Sequence, residues 1–134
     1  MNLTIQIISN SASFNVTVES GYEIVNFSSD STEALKFSEA ENPAIIFLEY
    51  EIAHKNTELY IKSLLNESPD SKVILAGKNL PDSIIVDCLL SGLYGYVEMT
   101  DINQLFNKVV RLVGQGEAWV SRRLVGLLIE RFRD

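Results

Sequence analysis

The chain has 134 residues, 46% of them hydrophobic and 22% charged, which is enough for one folded domain and excludes a mainly disordered chain. The formal net charge of −7 should repel nucleic acid from most of the surface. One cysteine and one histidine offer neither an internal disulfide nor a metal site, and no apolar run approaches the roughly 20 residues that span a bilayer, so we expect a cytoplasmic protein.

Short apolar runs rich in β-branched residues alternate with helical patterns along the chain, which indicates repeated βα units on a parallel sheet. The predicted strands are Leu3–Ser9, Tyr22–Phe27, Ala44–Leu48, Lys72–Ala76 and Leu93–Val97. The third strand is wholly apolar, as expected for a central strand that is buried on both faces. Helices are predicted after strands two to five.

The connection between the first two strands differs from the others. Only residues 10–21 separate these strands, and the stretch Phe14–Val18 is a poor helix former. We therefore expect the first helix to be short or missing, which would leave one side of the helix predicted at Ile102–Val113 uncovered. Capping residues mark later helix starts, with a capping box at Asp30–Glu33 and a cap at Asp101.

The C-terminal part has an amphipathic pattern of its own. Residues Ser121–Phe132 place apolar side chains on one broad helical face, after a break at Gly114–Gly116. We therefore divide the chain into a domain of residues 1–114 and a linker helix within residues 115–134. The predicted helix at Ser83–Leu90 carries more apolar residues than one sheet-facing stripe requires, and this surplus favours a symmetric homodimer.

Four stretches of the chain carry a resemblance to a known family. They are Asn42–Glu49, Ser68–Leu75, Ser91–Val97 and the tail Gly116–Val125. In this order they resemble the receiver (CheY-like) domains of LuxR/NarL-type bacterial two-component response regulators. The resemblance implies a three-layer α/β, flavodoxin-like (CheY-like) fold with a five-stranded parallel sheet in the order 2-1-3-4-5, plus an extra C-terminal helix. It also implies that the tail leads to a DNA-binding domain absent from this chain.

Receivers of this family accept a phosphoryl group on an aspartate, beside an acidic pair that holds Mg²⁺. By resemblance, Ser9 and Asn10 stand at the positions of the acidic pair, and neither supplies the negative charge that holds this hard cation. Glu49 stands at the phosphoacceptor position, where its extra methylene moves the carboxylate by about one bond length. The resemblance therefore predicts poor metal binding and impaired phosphoryl transfer.

Three further positions of the family's site have counterparts here. Ala76 stands where the family has a hydroxyl residue after strand four, and Met99 stands where it has a lysine, so neither side chain offers a donor to a phosphoryl group. Tyr96 falls on the family's switch aromatic. We interpret the chain as a degenerate pseudo-receiver that is not an enzyme, with no catalytic residue, metal or cofactor.

Some alternatives stay open at this point. Glu49 could imitate the charge of an aspartyl phosphate, although a hydrogen-bonded glutamate at a strand end is the simpler interpretation. A cleft around the five altered positions could bind a small molecule, whereas a crevice filled by Met99 and Tyr50 would count against such a sensor. The chain could also be a stand-alone pseudo-receiver that binds a protein partner. The interpretation we adopt is a phosphorylation-independent signalling and dimerisation domain of a transcriptional response regulator, without membrane contact.

Overall fold

Five strands and five α-helices form the part of the chain that the structure describes, residues 3–11, 14, 16–28, 32–50 and 56–133 of a computed structural model. The strands are β1 (Leu3–Ile8), β2 (Tyr22–Phe27), β3 (Ile45–Glu49), β4 (Lys72–Gly77) and β5 (Gly95–Glu98). The helices are α1 (Thr32–Glu41), α2 (Thr57–Glu67), α3 (Asp82–Leu90), α4 (Ile102–Gly114) and α5 (Arg122–Arg133). Within these residues no helix is long and apolar enough to cross a membrane.

Neighbouring strands of the sheet are parallel, and their order is β2-β1-β3-β4-β5. This confirms the predicted three-layer α/β fold and its strand order. The central strand is β3, and its wholly apolar residues Ile45–Leu48 are buried, as its composition predicted. The parallel register brings the carboxyl ends of β1, β3 and β4 to one edge of the sheet, where Glu49 pairs with Ala76.

Apolar side chains cover both faces of the sheet. One face packs against α1, α2 and α3, and the other packs against α4 and the segment that connects β1 to β2. On the second face Phe47 and Phe106 are fully buried, with their ring centroids 4.9 Å apart. Each fully buried side chain of this size stabilises the fold by roughly 1.5–3 kcal/mol.

The connection between β1 and β2 takes the place of a first helix. Its described residues, 9–11, 14 and 16–21, contain no α-helix, as predicted. Phe14 packs edge-on against Phe47 at a centroid distance of 5.9 Å, and Asn107 Nδ2 donates to the carbonyl oxygen of Thr17 at 2.9 Å. The connection thus contacts α4, so the expectation that this side of α4 is uncovered is wrong. An extended segment fills the space.

Helix starts follow the predicted capping only in part. A short 3₁₀ turn, Met99–Asp101, leads into α4. Asp101 already has helical backbone angles, and its side chain makes no capping hydrogen bond. The prediction that Asp101 caps this helix is therefore wrong. A cap not identified from the sequence is Asn56, whose side chain accepts from the N–H of Leu59 at 3.0 Å. The first two residues of the predicted capping box at Asp30–Glu33 lie outside the described residues.

The segment after α4 is attached to the edge of the sheet. Tyr96 N–H donates to the carbonyl oxygen of Trp119 at 3.0 Å, and Trp119 N–H donates to the carbonyl oxygen of Tyr94 at 3.1 Å. Beyond this attachment, α5 packs its buried Leu124 into the apolar cluster that includes α3. The division into residues 1–114 and 115–134 remains a prediction.

Candidate functional site

Two of the predicted site residues meet at the carboxyl end of the sheet. Ser9 follows β1 and Glu49 ends β3, and because these strands are neighbours their side chains are brought together. The hydroxyl of Ser9 donates to Glu49 Oε1 at 2.6 Å, and Ser9 Oγ also accepts from the N–H of Ser11 at 3.1 Å. The Glu49 carboxylate is therefore hydrogen-bonded directly to Ser9, and these are the two side chains that the resemblance places at the acceptor position and at the first position of the acidic pair.

The donor set at this edge is a poor match for a divalent cation. Ser9 and Asn10 are uncharged, so Glu49 is the one carboxylate among the three side chains. Mg²⁺ prefers carboxylate and water oxygens in a near-octahedral arrangement, and it loses water reluctantly. Across the described ranges, no group of three or more histidine, cysteine, aspartate or glutamate side chains is placed to hold a metal ion. The residues present do not fit the Mg²⁺ site of the family.

Met99 lies at the end of β5 but points into the protein interior. Its exposed fraction is 2%, and it belongs to the apolar cluster between the sheet and α4. A buried thioether offers no cationic donor toward Glu49, so it cannot act as the lysine of the family does.

Ala76 is placed differently from what the sequence predicted. The strand β4 runs one residue further than predicted, to Gly77, and the side chain of Ala76 is buried in the cluster that packs on α4. The small cleft beside Glu49, about 210 Å³, is lined instead by Gly77 and Lys78, with Met99, Leu80 and Tyr50. Lys78 is thus a cation of this site that the sequence analysis missed, because it lies one residue beyond the apolar run of β4.

The size of this cleft bears on the small-molecule alternative. Ligand pockets usually measure roughly 300–1,000 Å³. The cleft beside Glu49 is smaller, and Met99 and Tyr50 both line it. Ser9, Asn10 and Ala76 are not among its lining residues. These observations count against a sensor site at the carboxyl end of the sheet.

Tyr96 is held in an inward position. Its exposed fraction is 8%, and its hydroxyl donates to Glu98 Oε2 at 2.9 Å. Burial, followed by the contact with Glu98, raises the pKa of Tyr96 well above its usual range. Gly77 leaves room chiefly for Leu80, because a Cβ atom there would lie 2.5 Å from Leu80 Cδ1 and 3.2 Å from the Tyr96 hydroxyl oxygen. The sequence predicted the position of Tyr96 but not the contacts that hold it.

A larger cleft of about 530 Å³ lies on another side of the molecule, between α3, β5, α4 and the start of α5. Its apolar lining includes Tyr96, Leu105, Leu112 and Trp119, and its acidic lining includes Asp82, Glu98 and Asp101. No sequence pattern indicated this cleft, because its walls come from four separate segments.

Comparison with known proteins supports a relationship to response regulators. No family model matches the chain. The chain is similar to the transcriptional regulatory protein DegU of Brevibacillus brevis, with 25% identity over 119 residues, which cover 88% of this chain and 50% of that protein. It is also similar to the oxygen regulatory protein NreC of Staphylococcus epidermidis, with 26% identity over 111 residues, covering 82% and 51%. The chain thus spans about half the length of the curated relatives that it matches.

Solved structures share the fold. A LuxR-family two-component response regulator from Aurantimonas sp. SI85-9A1 superposes with a TM-score of 0.76 at 11% identity, covering 100% of both chains. The isolated REC domain of RcsB from Salmonella enterica serovar Typhimurium gives a TM-score of 0.77 at 15% identity, covering 96% of this chain and 99% of that one. At these identities the likeness concerns the fold alone.

The strand order and layer arrangement are those of the CheY-like, flavodoxin-like fold. In sequence, the chain is similar to the regulatory proteins DegU and NreC, so the resemblance to LuxR/NarL-type response regulators predicted from its motifs is confirmed.

Proposed function

We propose that this chain is a cytoplasmic, non-catalytic receiver-type domain that signals and dimerises without phosphorylation, as part of a transcriptional regulator. The observation that carries the proposal is the hydrogen bond from Ser9 to Glu49 at 2.6 Å. This bond supports the proposal because the Glu49 carboxylate already accepts a hydrogen bond from the protein, at the position where receivers of the family accept a phosphoryl group.

The chemistry of phosphoryl transfer explains why this bond matters. Transfer depends on the position of the attacking oxygen and on cations that neutralise the developing charge. Glu49 is longer than aspartate, its oxygen accepts from Ser9, and the buried Met99 supplies no charge. Lys78 lines the same cleft and is the nearest replacement for the missing cation. One lysine without Mg²⁺ does not rebuild the charge arrangement of a phosphorylation site.

The role of Glu49 as a permanent mimic of a phosphorylated aspartate is the weaker of two interpretations. Such a mimic needs a cation to bind its carboxylate, and among the described residues Glu49 and Lys78 form no salt bridge. The hydrogen bond from Ser9 favours a structural carboxylate at a strand end. The variant Glu49→Gln keeps an acceptor for Ser9 and removes the charge, so we expect its oligomeric state to equal that of the wild type by light scattering.

Dimerisation and DNA contact are the finer parts of the proposal. The name of the relative DegU describes a transcriptional regulatory protein, which fits a role in regulating transcription. Exposed apolar side chains on α5 support an interface with a partner. DNA binding would belong to a separate domain, since the formal net charge of this chain is −7.

The test combines a phosphodonor with a measurement of mass. The purified chain is incubated with Mg²⁺ and a small-molecule phosphodonor, its covalent mass is read by mass spectrometry, and its oligomeric state is read by light scattering over a dilution series. A phosphorylatable receiver domain serves as the positive control. We expect no added phosphoryl group and a dimer that is indifferent to the donor. Phosphorylation of Glu49, or a shift in oligomeric state on adding the donor, would overturn the proposal.

A further inference from the structure

Helix α5 carries apolar residues on two sides. One side is buried against α3 through Leu124 and Leu128. The other side presents Val125, Ile129 and Phe132, which are 42%, 54% and 76% exposed. Their spacing of four and three residues places them in one stripe on the helix. We call these three residues the α5 stripe. It is the main apolar surface of the tail that nothing in the described part of the chain covers.

The charges of α5 separate into used and unused groups. Arg123 pairs with Asp82 and Arg131 Nη1 lies 2.7 Å from Asp87 Oδ1, so these two arginines fasten the helix to α3. Arg122 forms no salt bridge with any described residue, and it lies on the same side of the helix as Ile129. The stripe is therefore bordered by a free cation. With four arginines and one glutamate, α5 is a positive element of a strongly negative chain.

The 530 Å³ cleft is acidic on balance, because Asp82, Glu98 and Asp101 line it and the lining Arg123 is paired with Asp82. Its apolar lining is partly exposed at Leu105, Leu112 and Trp119, and Asp101 at its rim is exposed without a salt bridge to any described residue. Glu98 adds a second carboxylate to the lining, where it accepts from Tyr96. The cleft thus suits an apolar helix face that brings a positive charge.

We propose that the α5 stripe of one protomer docks in this cleft of a second copy of the chain, with Arg122 beside the partner's Asp101. The inference rests on the proposed dimer and specifies its surface. Each copy carries both the stripe and the cleft, so a two-fold arrangement makes two equal contacts and closes at a dimer. A second copy is the occupant that the charges favour, because each copy supplies both a positive α5 and an acidic cleft, so opposite charges meet in both contacts.

The first test measures the dimer dissociation constant of single variants by light scattering and analytical ultracentrifugation. Ile129→Glu places a charge in the apolar contact, and we expect a dissociation constant roughly a hundredfold higher. The matched control is Leu59→Glu, because Leu59 is an apolar side chain of α2 with 59% exposure, away from both surfaces. The control should dimerise like the wild type.

The second test swaps charges. Arg122→Glu and Asp101→Arg should each weaken dimerisation by roughly tenfold, because attraction becomes repulsion at the rim. The double variant Arg122→Glu/Asp101→Arg should recover most of the affinity. Both positions are exposed, so circular dichroism should report a native fold for all of these variants, and the charge swap stays informative even if Ile129→Glu fails to fold.

Trp119 provides a direct report from the cleft. It is the single tryptophan of the chain and lines the cleft, so its fluorescence should change across the same concentration range as the mass.

Three outcomes would contradict the proposals. If the wild type is a dimer, and Ile129→Glu and both charge-reversal variants dimerise equally well, this inference is overturned and the dimer forms at another surface. A dimer that is lost in Ile129→Glu but not in Asp101→Arg, with constant Trp119 fluorescence, would indicate pairing of two α5 stripes and would also overturn it. A monomeric wild type would overturn the proposed dimerisation itself.

Discussion

At the scale of single residues, the carboxyl edge of the sheet holds a bonded pair where receivers of the family hold charge. Ser9 donates to Glu49, and Met99 beside the Glu49 cleft is buried and uncharged. A partly buried carboxylate needs a counter-ion or hydrogen bonds, and here the hydroxyl of Ser9 supplies a hydrogen bond to Glu49. The pair is therefore a structural contact between the ends of β1 and β3.

The variant Ser9→Ala tests that contact. Removing the hydroxyl leaves the half-buried carboxylate of Glu49 without this donor, so we expect the free energy of unfolding to fall by about 1–2 kcal/mol. Urea denaturation measures the change, and the exposed Ser83→Ala in α3 is the control, expected within about 0.5 kcal/mol of the wild type. A double-mutant cycle with Glu49→Ala separates the pair from its surroundings, and strictly additive effects would show that no coupling exists.

The single cysteine offers a prediction about pH. Burial, with smaller contributions from the charges of Glu58 and Asp87, raises the pKa of the Cys88 thiol to about 12. The folded state therefore prefers the neutral thiol, and its stabilising effect is present below the unfolded-state value near 9 and is lost as the pH rises above it. The free energy of unfolding should fall as the pH rises from about 9 toward 12, with a slope that Cys88→Ala reduces.

Thiol reactivity checks the same prediction independently. At pH 8 an aromatic disulfide reagent should leave native Cys88 unmodified, because its thiolate is scarce and the side chain is buried. The urea-unfolded chain is the control and should react at the rate of a free cysteine. Rapid modification without denaturant would contradict both the burial and the raised pKa.

The residue positions also show where sequence reasoning reaches its limit. The family resemblance indicated Glu49, Met99 and Tyr96: the first two follow predicted strands, and Tyr96 lies within the last predicted strand. The predicted end of β4 at Ala76 was one residue short, since β4 continues through Gly77, and the side chain of Ala76 packs in the cluster toward α4. The bond from Ser9 to Glu49 joins residues 40 positions apart, and only the packing of β1 beside β3 reveals it.

At the scale of elements, the βα alternation predicted the strands, and the family resemblance implied their order. Parallel strands buried on both faces have apolar runs that stand out in composition, and right-handed crossovers leave few possible orders. The extended connection after β1 was predicted to lack a helix, but its docking on α4 through Phe14 and Asn107 was not. Such contacts depend on the space left beside α4 when the helices pack on the sheet, and a sequence pattern does not reveal that space.

Helix α5 gives a prediction at this scale. Leu124 is the buried residue of α5, with an exposed fraction of 3%. Leu124→Ala should therefore loosen α5 from α3. Where this contact unfolds together with the rest of the domain, the free energy of unfolding should fall by about 2–4 kcal/mol. Hydrogen exchange should show faster exchange of the amides in Arg122–Arg133. Leu127→Ala, at a side chain 37% exposed, is the control and should leave exchange nearly unchanged. Unaltered protection in Leu124→Ala would mean that Leu124 does not hold α5.

At the scale of the whole molecule, charge is unevenly distributed. The chain has a formal net charge of −7, whereas four of its eleven basic residues lie in α5. On the surface of α1 and α2, Glu39 has its pKa raised by the neighbouring carboxylate of Glu67, a sign of crowded negative charge. Repulsion between these negative charges destabilises the folded state. Dissolved salt weakens the repulsion, because at 0.1 M ionic strength charges are screened from each other beyond about 10 Å. Any cation will therefore stabilise the protein to some degree.

This general effect must be separated from a specific magnesium site. A ligand that binds only the folded state stabilises it by RT ln(1 + [L]/Kd), which is about 2.7 kcal/mol at a hundredfold excess over Kd. With Ser9 and Asn10 in place of an acidic pair, we expect Mg²⁺ to raise the midpoint of thermal unfolding no more than NaCl of matched ionic strength does. Ser9→Asp/Asn10→Asp, which brings three carboxylates to the edge, is the matched control and should be destabilised without metal but gain a Mg²⁺-dependent rise. A rise in the wild type that exceeds the salt effect and disappears in Glu49→Gln would mean that this edge still binds the cation, and the interpretation of a dismantled phosphorylation site would then be wrong.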